Sequence, residues 1–471
     1  MKVNGVLVDV QDFLDTSYAR FAMSGNVTVE VTVSSGLKDV SIRPLAFGII
    51  PKISGNTFTF TLNRPTKLRL DINGTRGRLF VFADPLEAHP PKITDSTVKS
   101  VLDFEGIDSN GNSNCTVGIQ AAIDWVSQHY QEKSVLLFPD GVYKTGTLNV
   151  KPNVTIYLCS GAVILASDDN RDFVLDHHDP KNNEQFNVTA FITMPNSHDV
   201  KIIGRGMIDG NGKELHKKFD IDHRCVTVLP RNAINVVMED VMIRNAWMWH
   251  LYFNGGHDIR VSNVKSFTPW YKGCEGGAND GFKLHEGGVH NVSYEDGFIA
   301  AFDDAITFGS GAHHCSVKNT IIDLSRASPI RIAFDDGSHD INISNIHVLD
   351  NSYYSIFLSD CYPGYKFNPD VPYHDITFSD WIIEGKHKLI NFNFYDAATA
   401  PVFHDITFRN ITIDDAAPEG LIRGGSEERQ VYNVTFENLK SAGRYRTSAK
   451  DANIAVGPFA RDIKFQVTGE H

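Results

Sequence analysis

Three aspartates hold the most direct chemistry in this sequence: Asp280, with Asp303 and Asp304 lying 23 and 24 residues beyond it. Like charges packed within a few ångströms cannot all ionise, so one carboxyl of such a set keeps its proton near neutral pH. A protonated carboxyl beside an ionised one can cleave a glycosidic bond. The acid protonates the leaving oxygen, and the carboxylate activates water without metal or cofactor. Trp249, His250, Lys283, His285 and Arg331 fall close to these aspartates, and Trp270 and Tyr271 lie in the run SFTPWYKGCEGGAN just before Asp280. Aromatic faces and convergent polar groups are what a ligand cleft uses, so these seven are the expected substrate-binding residues. Trp247, in an apolar run, is expected in the core. For Lys283 three partners stay open: a uronate, Asp304 or solvent.

This chemistry requires residues about 23 apart to be neighbours in space, and a repeat supplies the reason. Nine copies of an alternating strand closed by Asn, Asp or Gly begin at Val200, Val236, Ile259, Val292, Cys315, Ile341, Ile376, Ile406 and Val434. Their closing residues are 36, 23, 33, 23, 26, 35, 30 and 28 apart. A floor near one value with longer insertions is the mark of a solenoid with fixed strands and variable loops. The copies are rich in Val, Ile, Thr and Phe and alternate with period 2, which selects strands over helices. The closing Asn and Asp suit the left-handed corners that a coil needs. The expected fold is all-β, a right-handed parallel β-helix with coils about 4.8 Å apart. Because corners use Asp widely, as Asp335 and Asp336 illustrate, the three aspartates are read on spacing alone either as an acid–base set or as turn residues.

The rest of the chain frames this solenoid. Residues 1–85 contain short alternating runs such as VTVEVTV and NTFTFTL spaced by Gly, Asn and Pro, which predicts a small antiparallel β-sandwich. A Pro-rich stretch makes residues 86–100 a linker, and 101–471 the β-helix. The one clear amphipathic helix, Thr116 to His129, is expected to cap the first coil. A net charge of −13 argues against nucleic acid and anionic membranes as partners, and no apolar run approaches the roughly 20 residues of a membrane span. Cys115, Cys159, Cys225, Cys274, Cys315 and Cys361 are scattered without a CxxC pair, so neither zinc ligation nor a disulfide scaffold is expected. The start shows no leader peptide, which suits a cytoplasmic protein or a secreted one already processed.

Several segments resemble the pectinase-type glycoside hydrolases of family 28 and the related dextranase and isopullulanase group, family 49. The stretch from Phe138 to Asp169 is similar to the entry coils of family 28, GMIDGNG (206–212) to its Gly-x-Ile-Asp-Gly-x-Gly turn, and NAWMWH (245–250) to its Trp-x-x-His coil. NDGFKL (279–284) and FDDAITFGSG (302–311) resemble its Asn-Thr-Asp-Gly strand and Gly-Asp-Asp motif. The resemblance spans about residues 100–440 and implies a hydrolase of polysaccharides or their oligosaccharides. It implies Asp303 as general acid, Asp280 and Asp304 as the groups that hold and deprotonate water, and inversion at the anomeric carbon.

The chain departs from family 28 where a Gly-His-Gly and then an Arg-x-Lys are expected. It carries ASPIRIA (327–333), closer to the family 49 segment, and YSIFLSD (354–360). Without the Arg-x-Lys pair, which binds a galacturonate carboxylate, a neutral or differently charged glycan is the expected substrate. The β-helix also hosts polysaccharide lyases and uronate epimerases, which use a Lys, Arg or His base and commonly calcium, and non-catalytic glycan-binding solenoids. Chelator-insensitive turnover without an ultraviolet-absorbing product separates hydrolysis from these.

Overall fold

The computed structural model describes the chain apart from residues 179–186, 219–222, 274–278, 286, 325, 333–335, 350–353, 361–367, 369, 395–399, 470 and 471. Asp335, Cys274 and Cys361 lie outside the described residues, and the other four cysteines are free thiols. No helix among the described residues is long and apolar enough to cross a membrane.

The chain divides into two compact units. One comprises Met1–Pro90 and Pro269–Gly273. Its two five-stranded sheets enclose a core of Val27, Val29, Phe58, Phe60, Leu68, Leu70 and Val81. Most neighbouring strands are antiparallel, but Thr16–Met23 and Thr75–Pro85 run parallel. Several strands intervene between these two, so no tight hairpin forces them into opposite directions.

The other unit, Pro91–Thr268 with Cys274–His471, is a right-handed parallel β-helix. A 21-stranded sheet wraps two of its sides and a 12-stranded sheet closes the third. The stack opens with Val98–Ser100 paired to Val135–Phe138, three residues ahead of the expected start, and ends on Ala460–Gln466. The helix Thr116–Gln128 turns Ile119, Ala122, Ile123 and Val126 into the first coils, covering the apolar end.

The repeat read from the sequence is the register of the fold. Val200, Val236, Ile259, Val292, Cys315, Ile341, Ile376, Ile406 and Val434 are direct partners along one column. All nine closing residues, Gly204 through Asn438, have positive φ, between 51° and 107°. Asn and Asp tolerate that region best among non-glycine residues. Here they also bond from coil to coil: Asn263 donates to Asp240 at 2.7 Å, Asn345 to Asn319 at 2.7 Å and Asn438 to Asn410 at 3.0 Å.

Two residues before six of the nine strand copies runs a second ladder. The rings of His257, His290, His313, His339, His374 and His404 stack face to face with centroids 4.7 to 5.1 Å apart. Four of them bond through Nδ1 to the carboxylate of the next residue, Asp258, Asp340, Asp375 or Asp405. The strands are thus pinned at this end as well.

Candidate active site

The 12-stranded sheet positions the three aspartates. Phe282–Leu284, Ile306–Phe308 and Ile330–Ile332 are successive parallel strands whose apolar residues enter the core. With Phe282 opposite Ile306 and Ile306 opposite Ile330, the register carried two residues back places Asp280, Asp304 and Ser328 at equivalent points. Backbone bonds continue the ladder there: the Gly281 amide donates to the Asp304 carbonyl at 3.0 Å, and the Ala305 amide to the Ser328 carbonyl at 3.1 Å. Gly281 allows this approach, since a Cβ there would meet Ile299 Cγ2 at 2.4 Å and the Ala305 carbonyl at 2.6 Å.

Each carboxylate is held by a cation. Lys283 Nζ lies 3.6 Å from Asp280 Oδ2, Arg326 Nη2 3.3 Å from Asp303 Oδ2, and Arg331 Nε 3.9 Å from Asp304 Oδ2. Asp304 also accepts the Ser328 amide at 2.9 Å, and its own amide donates to Asp303 Oδ1 at 3.1 Å. Burial dominates the electrostatics. It pushes Asp280 well above the usual carboxylate range, against Lys283 and with help from the charges of Asp303 and Asp304. It also raises Asp303, against Arg326, and pushes Asp304 up to about 6, against Arg331 and together with Asp303. The group therefore holds protons at a pH where ordinary carboxylates have lost them.

The other expected site residues have distinct environments. His250 is fully buried: Nδ1 meets the Asp280 carbonyl at 2.9 Å and Nε2 the Thr268 hydroxyl at 2.8 Å. It fixes the backbone at Asp280 and has no ring nitrogen left for a ligand, and burial lowers its pKa to about 4. Lys283 Nζ lies 3.8 Å from the centroid of Trp249, whose ring meets Tyr252 edge-on at 4.7 Å. His285, buried, lies 6.1 Å from Tyr252. Arg331 reaches past Asp304 to Asp360, Nη2 to Oδ1 at 2.8 Å. Trp247 is in the core. Tyr271, buried, and Trp270, 47% exposed, belong to the first unit, where the neighbouring Lys272 amide donates to Asp15 at 2.7 Å. Arg326 and Asp360 are missing from the residues expected from sequence. Arg326 follows Asp303 by 23 residues, within one residue of the 24-residue offset that pairs Asp280 with Asp304, so the period would have located it.

No protein-family model matches the chain. A probable polygalacturonase from Vitis vinifera is 22% identical over 353 residues, covering 69% of this chain and 70% of the relative. Against two further curated relatives the chain spans 29% and 44% of their length. Among solved structures, a hyperthermoactive exopolygalacturonase from Thermotoga maritima superposes with a TM-score of 0.61 at 17% identity, over 80% of this chain and 93% of that one. The chain is a pectin-lyase-fold protein similar to family 28. Dex49A from Penicillium minioluteum, with a TM-score of 0.67 at 14% identity over 97% of this chain and 84% of its own, adds the likeness to family 49.

Proposed function

We propose that this chain is an inverting glycoside hydrolase acting on a polysaccharide or its oligosaccharides, with Asp303 as general acid and Asp280 and Asp304 as the base pair that holds water. The observation that carries the reading is the burial of three mutually interacting carboxylates, each beside a cation, at one end of adjoining strands. Polygalacturonase relatives favour the same reaction class. In this mechanism the glycosidic carbon–oxygen bond breaks as Asp303 gives its proton to the leaving oxygen. Water bonds to the anomeric carbon from the opposite face, and its proton passes to Asp280 or Asp304. Trp249, braced by Lys283 at 3.8 Å, offers an aromatic surface beside the cation that holds Asp280. Arg331, tied between Asp304 and Asp360, orients the base.

Asp303→Asn tests the assignment. It should lower kcat by about 100- to 1000-fold, as loss of a general acid implies, while the unfolding temperature stays close to the parent's. Proton NMR of the first product should show the inverted anomer. A retained anomer would overturn the roles given to Asp280 and Asp304. Product sizing against polygalacturonate and neutral α-glucans identifies the sugar. The missing Arg-x-Lys pair favours a glycan other than polygalacturonate, whereas the relatives' names favour polygalacturonate.

A further inference from the structure

The register that aligns Asp280 with Asp304 continues along the same face. Ile330 pairs with Phe357 and Ser355 with Lys388, so the column that starts Asp280, Asp304, Ser328 runs on through Ser355 to Lys388. The adjacent column runs Lys283, Thr307, Arg331, Leu358, Asn391. Beside this stretch of the two columns a cavity of about 270 Å³ opens, lined by Tyr354, Ser355, Lys386, His387, Lys388 and Asn391, with Leu358 at its apolar wall. That volume is at the small end of ligand pockets, the scale of one sugar ring.

Its composition points to an anion. Lys386 and Lys388 both line the cavity, and among the described residues neither makes an ion pair. Two ammonium groups on one small cavity repel each other, and a bound anion relieves this while gaining charge-assisted hydrogen bonds. Ser355 and Asn391 offer hydroxyl and amide groups, and Tyr354, 57% exposed, offers an aromatic face. Three coil spacings, about 14 Å, separate Lys388 from Asp304 along the column.

We propose that this cavity is a distal subsite for an acidic sugar residue, in which Lys386 and Lys388 bind a ring carboxylate or sulfate of the same chain that is cut at Asp303. The inference rests on the hydrolase reading for its ligand class, and it gives the enzyme a preference for chains long enough to reach from the aspartates to the lysines.

The test measures binding to the full-length Asp303→Asn protein by isothermal titration calorimetry, using oligogalacturonides from disaccharide to octasaccharide, neutral gluco-oligosaccharides and sulfated oligosaccharides of equal length. Adding Lys386→Ala and Lys388→Ala should weaken a long acidic oligosaccharide about tenfold. It should leave the acidic disaccharide, which is too short to span about 14 Å, and the neutral series unchanged. Lys→Arg at both positions should restore most of the affinity, which separates lost charge from disturbed folding. Loss for oligogalacturonides alone marks a carboxylate site, and equal loss for the sulfated series marks a general anion site. Identical affinity for long acidic chains with and without the lysines, or equal losses for neutral chains, overturns the proposal and leaves the hydrolase reading standing. If the parent protein neither binds nor cleaves any of the oligosaccharides, the hydrolase reading falls and the subsite falls with it.

Discussion

Burying Asp304 beside two other carboxylates makes the folded chain hold a proton that the unfolded chain releases. Below pH 3.8 the side chain is protonated in both states; between 3.8 and about 6 only the folded state keeps the proton, so stability falls as pH rises through that window. Asp304→Asn removes this dependence. The variant should match its parent in strong acid and exceed it near neutral pH by on the order of 1–3 kcal/mol, measured by calorimetry across pH. An equal or lower stability at neutral pH would show that the contacts to Arg331 and Ser328 outweigh the cost of burial and the repulsion from Asp303. His250 contributes with the opposite sign. Its lowered pKa means that protons bind the unfolded chain first, so its stabilisation is lost as pH falls from 6.5 to about 4. His250→Gln should flatten that acid limb of the stability curve. The aspartates were legible in the sequence because the repeat fixes which residues meet. The burial of His250 was not, since only the fold shows Thr268 reaching its second nitrogen.

At the scale of single elements, the corner residues hold the strands in phase. Asn345 combines a φ of 52° with a side-chain bond to Asn319. Asn345→Ala meets the left-handed penalty and loses the bond, for a cost of about 2–3 kcal/mol. Asn345→Gly loses only the bond and should cost about 1 kcal/mol. Chemical denaturation of both variants checks the order, and equal losses would mean that backbone strain plays no part. The strand copies were readable because alternation and closing residue recur together. The imidazole ladder had an equally plain signal, the His-Asp pair immediately ahead of Ile259, Ile341, Ile376 and Ile406, but it reads as turn polarity until the coils are stacked. The parallel pair in the sandwich had no local signal, because strand direction depends on the path of the chain between sheets.

For the molecule as a whole, stacking in one dimension makes each coil depend mainly on its two neighbours. Native-state hydrogen exchange should therefore be slowest through the strands from about 200 to 413 and fastest at the last strand, Ala460–Gln466, which has a partner on only one side. Uniform protection along the axis would contradict that picture. The solenoid was legible as a whole because its period is written nine times, whereas the long inserts between copies follow no repeat. The shared columns also make the protein a ruler. Any two side chains on one column are separated by a whole number of coils, so the reach between a cutting point and a holding point can change only in steps of about 4.8 Å. On the proposed reading, gain or loss of a coil between Asp304 and Lys388 would leave both sites intact and change only the length of substrate that fits between them, so product size would be set by counting turns.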